Sequence, residues 1–197
     1  QTLGEKSSMT KKLDRISKTV IGFGFTEALN SSLTSKKILF DLTNRDSSEM
    51  LSVLDSKSQE HTILRDSILP GLLENLSKNI HEPYPQKLFE TGTVFSKSKP
   101  ISETINLAGI IAHKESNYSE TKSILQAILR TGFQIDTKTI TSEDNVSMFA
   151  NGRYADVFVG KKLIGNIGEF NSDVLDNFKI RTSITGFEIK LSGLIFD

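Results

Sequence analysis

Residues 64–95 read LRDSILPGLLENLSKNIHEPYPQKLFETGTVF, and the order of residue types along them decides the fold. Leu69, Leu72, Leu73, Leu76 and Ile80 recur at three- and four-residue steps, the spacing of one face of a helix. Ser67 stands where it can cap that helix, and Pro70 falls in its first turn, where a missing N–H costs little. HEPYP then breaks the helix, since proline cannot continue it. QKLFETGTVF follows with the build of a strand that carries an active site: packing side chains, a glycine, an aromatic end, and then an abrupt polar exit at SKSKP. Nothing at that exit is reactive, which poses the functional question.

Downstream, INLAGIIAH predicts a second apolar strand. In NYSE, Asn117 can cap a helix and Glu120 can reach back as its capping-box partner. The helix predicted from Tyr118 to Arg130 turns Ile124, Leu125, Ile128 and Leu129 inward, with Gly132 at its end. FQIDTKTI reads as a strand, and YADVFVGKKLIGNIGEF as a hairpin turning at Gly160, Lys161 and Lys162. A short helix SDVLDNF, capped by Ser172, and a strand SITGFEIKL follow. Upstream, Met9, Leu13, Ile16 and Val20 share one face of a helix over 9–23, which Gly22 and Gly24 end. An extended piece spans Glu27 to Leu33, SKKILF adds a helical turn, and MLSVL reads as a buried strand. A hairpin forces antiparallel pairing, so the sheet is at least mixed and a doubly wound parallel fold is disfavoured. The polar stretches 44–48 and 96–103 read as loops within one domain over 1–197.

Composition narrows the function. With 37% hydrophobic and 24% charged residues in 197, the chain can bury a core, unlike a disordered chain. Lys plus Arg and Asp plus Glu both total 24, so no global field holds a polyanion. Without Cys there is no disulfide framework, thiolate nucleophile or zinc-thiolate site, in keeping with a reducing cytosol. No run approaches a membrane span, and QTLGEKSSMT lacks the blocks of a signal peptide. The Asn-x-Ser sequons at Asn30, Asn75, Asn117 and Asn145 are therefore read as chance in a Ser-rich chain. GFGF and GNIG have the glycines of a phosphate cradle without the strand-to-helix order it needs. His61, His81 and His113 form no spaced ligand pair, and the carboxylates at 103, 115, 120, 143 and 144 are explained by solvation and capping. No catalytic, cofactor-binding or metal-ligating residue is assigned.

The series 64–95 resembles the C-terminal, catalytic-like domain of phenylalanyl-tRNA synthetase beta subunits of the archaeal and eukaryotic cytosolic type. Asn79, His81, Glu82, Tyr84, Pro85, Gln86, Lys87, Phe89, Glu90 and Gly92 fall on that family's Asn-Lys-His-x-x-Tyr-Pro-Gln-Lys-x-Phe-Glu-x-Gly run. GFGFTEAL, NYSETKSIL, NGRYADV and IGNIGEFNSDVLDNF resemble further family segments, in the same order from Thr2 to Leu191. Asp55 and Ser56 depart from a usual Asn-Pro, Ser172 from a Pro, and Asn171 from a His. TLGEKS resembles the junction after a preceding domain, so further modules are expected upstream.

The resemblance implies a class II synthetase fold, an antiparallel sheet flanked by helices. In an active domain of that class, the strand matching KLFETGTVF leads to an Arg that clamps the ATP α-phosphate and the aminoacyl carbonyl, with an acidic residue close behind. Ser96 and Ser98 stand there, flanking Lys97, which points the other way along a strand. FEIKLSGLIFD also lacks the second ATP-binding Arg after its Gly. The implied role is a domain that forms no adenylate and supports the alpha subunit, in a cytoplasmic holoenzyme that uses ATP and magnesium and binds tRNA. No cofactor is expected in this chain and no membrane is involved. Class II domains dimerise through their first motif, here residues 9–33, so Leu13, Ile16, Val20 and Phe23 are either interface knobs or internal core. The expectation for the interface is that Asp at both 16 and 20 breaks association and spares the fold. Alone, the chain could self-associate through the same face. Two other readings stay open: nucleotide or phenylalanine binding through Arg65, Glu90, Arg153 and Glu169, and tRNA contact through SKSKP and GKKL.

Overall fold

The computed structural model describes residues 4–54, 61–141 and 147–195. Helix α1 (Ser8–Gly22) starts where the Ser7 hydroxyl accepts from the Thr10 N–H, and stops at Phe23 and Gly24, whose φ of 82° suits glycine. β1 (Thr26–Glu27) follows, then β2 (Leu33–Thr34), a π-helical turn (Lys37–Asp41), β3 (Leu51–Ser52) and β4 (Ile63–Leu64). α2 (Leu69–Lys78) leads to β5 (Gln86–Ser96) and β6 (Ser102–Ala112). α3 (Tyr118–Phe133), β7 (Lys138–Thr141), the hairpin of β8 (Phe149–Val159) and β9 (Lys162–Phe170), α4 (Ser172–Asn177) and β10 (Ile184–Lys190) complete the described chain.

The large sheet has the order β1-β5-β6-β10-β9-β8-β7, antiparallel throughout except where β1 lies parallel to β5. A small sheet, β2-β4-β3, stands beside it. This is the α+β architecture, an antiparallel sheet flanked by helices, that the family resemblance implies, and its hairpin makes the antiparallel pairing expected from sequence. Along β5, β6 and β10 the side chains alternate between two cores. Phe89, Leu107, Ile111, Phe187 and Ile189 pack under α1 and α3. Val94, Ala108, Ile110 and Ile184 pack under α2 and α4.

Several local expectations are corrected. MLSVL holds only the two residues of β3, and Leu54 is 91% exposed, because β3 is an edge strand with β4 as its single partner. Met9 is exposed, since the first turn of α1 is exposed on every side. Ile80 lies beyond the end of α2, where Asn79 takes the cap conformation. Only the last three residues of FQIDTKTI lie in β7, which continues to Thr141. α3 passes through Gly132, packed against Thr19 of α1, and stops at Gln134 with φ of 58°. Asn117 caps α3 as expected, but the Glu120 carboxylate turns to His113 at 2.8 Å instead of closing the capping box. Asn171, not Ser172, caps α4 by accepting from the Val174 N–H at 2.8 Å. Asp55, Ser56 and the carboxylates at 143 and 144 lie outside the described residues.

Candidate functional site

The even-numbered residues of β5 face α2, so Glu90, Gly92 and Ser96 share one side of the sheet with Asn106 of β6 and Glu188 of β10. Two buried polar assemblies occupy this face. In the first, Arg65, at the end of β4, crosses β5. Its Nη1 donates to Glu90 Oε1 at 2.6 Å and its Nε to the Thr93 carbonyl at 3.0 Å. The Asn30 amide donates to Glu90 Oε2 at 2.7 Å. Arg65 is 5% exposed and Glu90 0%, so the pair is desolvated and each charge depends on the other. A Cβ on Gly92 would come within 2.1 Å of Arg65 Nη2. The Glu-x-Gly of the strand is therefore the socket of a guanidinium: the carboxylate binds it and the missing side chain leaves room for it.

In the second assembly, Glu188 receives four donors. Oε2 accepts from Ser67 Oγ at 2.7 Å, the Ile68 N–H at 3.0 Å and the Leu69 N–H at 3.3 Å, and Oε1 accepts from Asn106 Nδ2 at 2.7 Å. Burial pushes the Glu188 carboxyl above its ordinary range, opposed by these four hydrogen bonds. The expected Ser67 cap is thus corrected: α2 has no side-chain cap at Ile68, and the Ser67 hydroxyl serves the carboxylate that takes the helix's first N–H groups. A cavity of about 370 Å³ opens over Asn106, Asn166, Glu188 and Lys190. Arg45 and Asp66 rim it, joined by two parallel hydrogen bonds of 3.0 and 2.6 Å, with the guanidinium 5.2 Å from the centre of the Phe40 ring.

Ser96 ends β5 exposed to solvent. Lys97 reaches the Ser48 carbonyl at 3.3 Å and lies 3.7 Å from the Glu49 carboxylate, and Ser98 Oγ donates to the Pro100 carbonyl at 2.6 Å. Arg65 and Glu90 are brought together. Arg153 and Glu169 also meet, at 2.8 Å, but on the opposite face, where Glu169 accepts from the Tyr118 N–H at the start of α3. Glu169 raises the Arg153 pKa. The stripe of α1 is divided. Ile16 and Val20 are 1% and 0% exposed within the chain's own core, so they are not available as interface knobs, while Leu13 and Phe23 are half-buried at its margin. In the last turn of α1 Ile21 is 50% exposed, and Leu29, two residues past β1, is 92% exposed. Sequence reasoning missed Glu188 and Asn106, although a lone acid inside the apolar strand SITGFEIKL was a usable signal. Among the described residues no group of three or more His, Asp or Glu could hold a metal ion, and no helix is long and apolar enough to cross a membrane.

Residues 1–191 match the family model described as the phenylalanyl tRNA synthetase beta chain CLM domain. The chain is 34% identical over 199 residues to the phenylalanine–tRNA ligase beta subunit of Methanocaldococcus jannaschii, covering 96% of this chain and 35% of that protein. It is 36% identical over 177 residues to the beta subunit of Archaeoglobus fulgidus, covering 88% and 31%. The chain thus spans about a third of the length of these relatives. Among solved structures it superposes on PylSc of Desulfitobacterium hafniense, a pyrrolysyl tRNA synthetase, with a TM-score of 0.77 over 96% of this chain and 68% of that one. At 16% identity that likeness shows the class II synthetase fold and nothing finer.

Proposed function

The chain belongs to the phenylalanyl-tRNA synthetase beta chain family, and from that premise we propose that residues 1–197 act as one non-catalytic domain that supports a phenylalanine–tRNA ligase alpha subunit in the cytoplasm. The chemistry with ATP, magnesium and tRNA belongs to the assembled enzyme, and this chain holds no cofactor of its own. The observation that carries the reading is at the end of β5. Ser96 offers a single neutral hydroxyl where the class II pattern calls for a planar, permanently charged fork. One well-placed donor to a developing charge is worth about 3–4 kcal/mol in a comparable site. Neither nearby cation replaces it: Lys97 is turned to Ser48 and Glu49, and the Arg65 guanidinium is committed to Glu90 and Thr93. The carboxylates on this face are likewise held by the chain's own donors.

The surface offered to the alpha subunit lies at the margin of α1 and β1. Leu13 and Phe23 flank the core there, Ile21 and Leu29 project into solvent, and β1 is a two-residue edge with one neighbour. The isolated chain self-associates through this same margin. Co-expression with the alpha subunit tests the reading. The double variant Ile21→Asp, Leu29→Asp is expected to keep the wild-type melting temperature and to lose co-purification; undiminished recovery of the alpha subunit with this variant would contradict the surface.

A further inference from the structure

Between α2 and β5, residues 78–85 are all exposed, and two of them are large and apolar: Ile80 at 45% and Tyr84 at 40%. The loop is nevertheless fastened. Gln86 Nε2 donates to the carbonyls of Asn79 and Glu82, each at 3.1 Å, and the Glu82 N–H donates to the Asn79 carbonyl at 3.1 Å. Tyr84 is therefore presented from a fixed backbone, which lowers the ordering cost of any contact it makes. A hollow lies on each side of it. One, of about 740 Å³, is shared with Ile80, Asp176, Lys179 and Arg181; the other, of about 480 Å³, is shared with Lys87, Lys114 and Glu115. Tyr84 is thus a ridge between two hollows, a shape that inserts into a partner, unlike a bowl that encloses a small ligand.

Asp176, Lys179, Arg181, Lys114 and Glu115 have no side-chain hydrogen bond or ion pair among the described residues. Uncommitted carboxylates alternate with uncommitted cations, so a polyanion such as RNA meets repulsion along with attraction. An aromatic and aliphatic centre inside a rim of both signs is the composition of a protein interface. Position then selects the partner. The Lys87 ammonium lies 5.9 Å from the centre of the Phe25 ring, and β1 pairs with β5 from Thr26 opposite Leu88, so the second hollow adjoins the join of α1 and β1. The margin there offers Leu13, Phe23, Ile21 and Leu29, whereas a stable interface takes about 800 Å² and about 20–30 residues from each partner. We propose that the Tyr84 ridge is the second half of the alpha-subunit docking surface, with Tyr84 as its anchor and the charges at positions 176, 179 and 181 as its rim. This rests on the docking of the alpha subunit at the α1 and β1 margin.

The test is the dissociation constant of the co-expressed alpha–beta complex, read by sedimentation over a dilution series. Tyr84→Ala is expected to raise it about 10- to 30-fold and to leave the melting temperature of the beta chain unchanged. Tyr84→Phe, which keeps the ring, is expected to match the wild type. A Tyr84→Ala complex as tight as the wild type overturns the ridge. If Ile21→Asp with Leu29→Asp still dissociates that complex, the margin docks the alpha subunit without the ridge; if it does not, the margin falls as well. Loss of tRNA retention by Tyr84→Ala with alpha binding intact overturns the proposal in favour of RNA. Should Tyr84→Ala melt early, Lys179→Glu with Arg181→Glu decides, since both side chains are exposed. That variant is expected to weaken the complex at low salt and to approach the wild type at high salt, and equal dissociation constants at low salt overturn the proposal.

Discussion

Gly92 and Arg65 show how a motif can carry structure where chemistry is expected. The guanidinium lies over the glycine because Glu90 and the Thr93 carbonyl hold it there, and a methyl group at position 92 must push it out. Gly92→Ala is therefore expected to cost about 3–5 kcal/mol in urea denaturation, the scale of a broken buried ion pair. In a background with Arg65→Ala and Glu90→Ala together, the same change should cost far less, since the two effects are coupled. The residues 89–92 were legible as an ordered pattern, but Arg65 lies 25 residues before Glu90 and nothing in sequence spacing joins them. Glu188 has a pH signature of its own. Its folded pKa lies above that of the unfolded chain, so the folded state holds its proton more tightly, and stability from this group falls as pH rises from about 4.3 through the raised folded value. Against Glu188→Gln, the wild type should lose ground across that window, read as a difference in urea midpoints in which the other carboxylates cancel.

At the scale of elements, hydrophobic period marked the helices and strands well, because each buries one face against the sheet. What it could not settle was which stripe residues meet this chain and which meet another. Ile16 and Val20 share a face with Leu13, yet only the folded arrangement places the first two under the sheet. Ile16→Asp with Val20→Asp buries two unpaired charges and should abolish the cooperative melt, reversing the earlier expectation that this variant would stay folded. Caps were misplaced for a related reason. Ser67 and Ser172 are sound capping residues by type, but Glu188 and Asn171 reach the same N–H groups from better positions. The π-helical turn at Lys37–Asp41 also had no mark beyond a helical turn, since its buried Leu39 and Phe40 owe their positions to tertiary packing.

For the whole molecule, the class II fold is present with both faces of its sheet covered by helices, and the buried Arg65, Glu90, Asn106 and Glu188 on the α2 face are held by the chain's own donors and acceptors. The fold class was legible because the ordered motif residues 79–92 resemble a class II family, while the hairpin by itself required only some antiparallel pairing. The closure of the face was not, since it depends on contacts between residues as far apart as Ser67 and Glu188. The proposed division of labour requires one reactive site in each pair of subunits, on the alpha subunit. Calorimetric titration of the co-purified alpha–beta complex and of the beta chain alone, each with phenylalanine and magnesium ATP, tests this most directly. One saturable site per alpha–beta pair and no binding to the beta chain alone are expected; a second site per pair, or saturable binding to the beta chain by itself, would contradict the account.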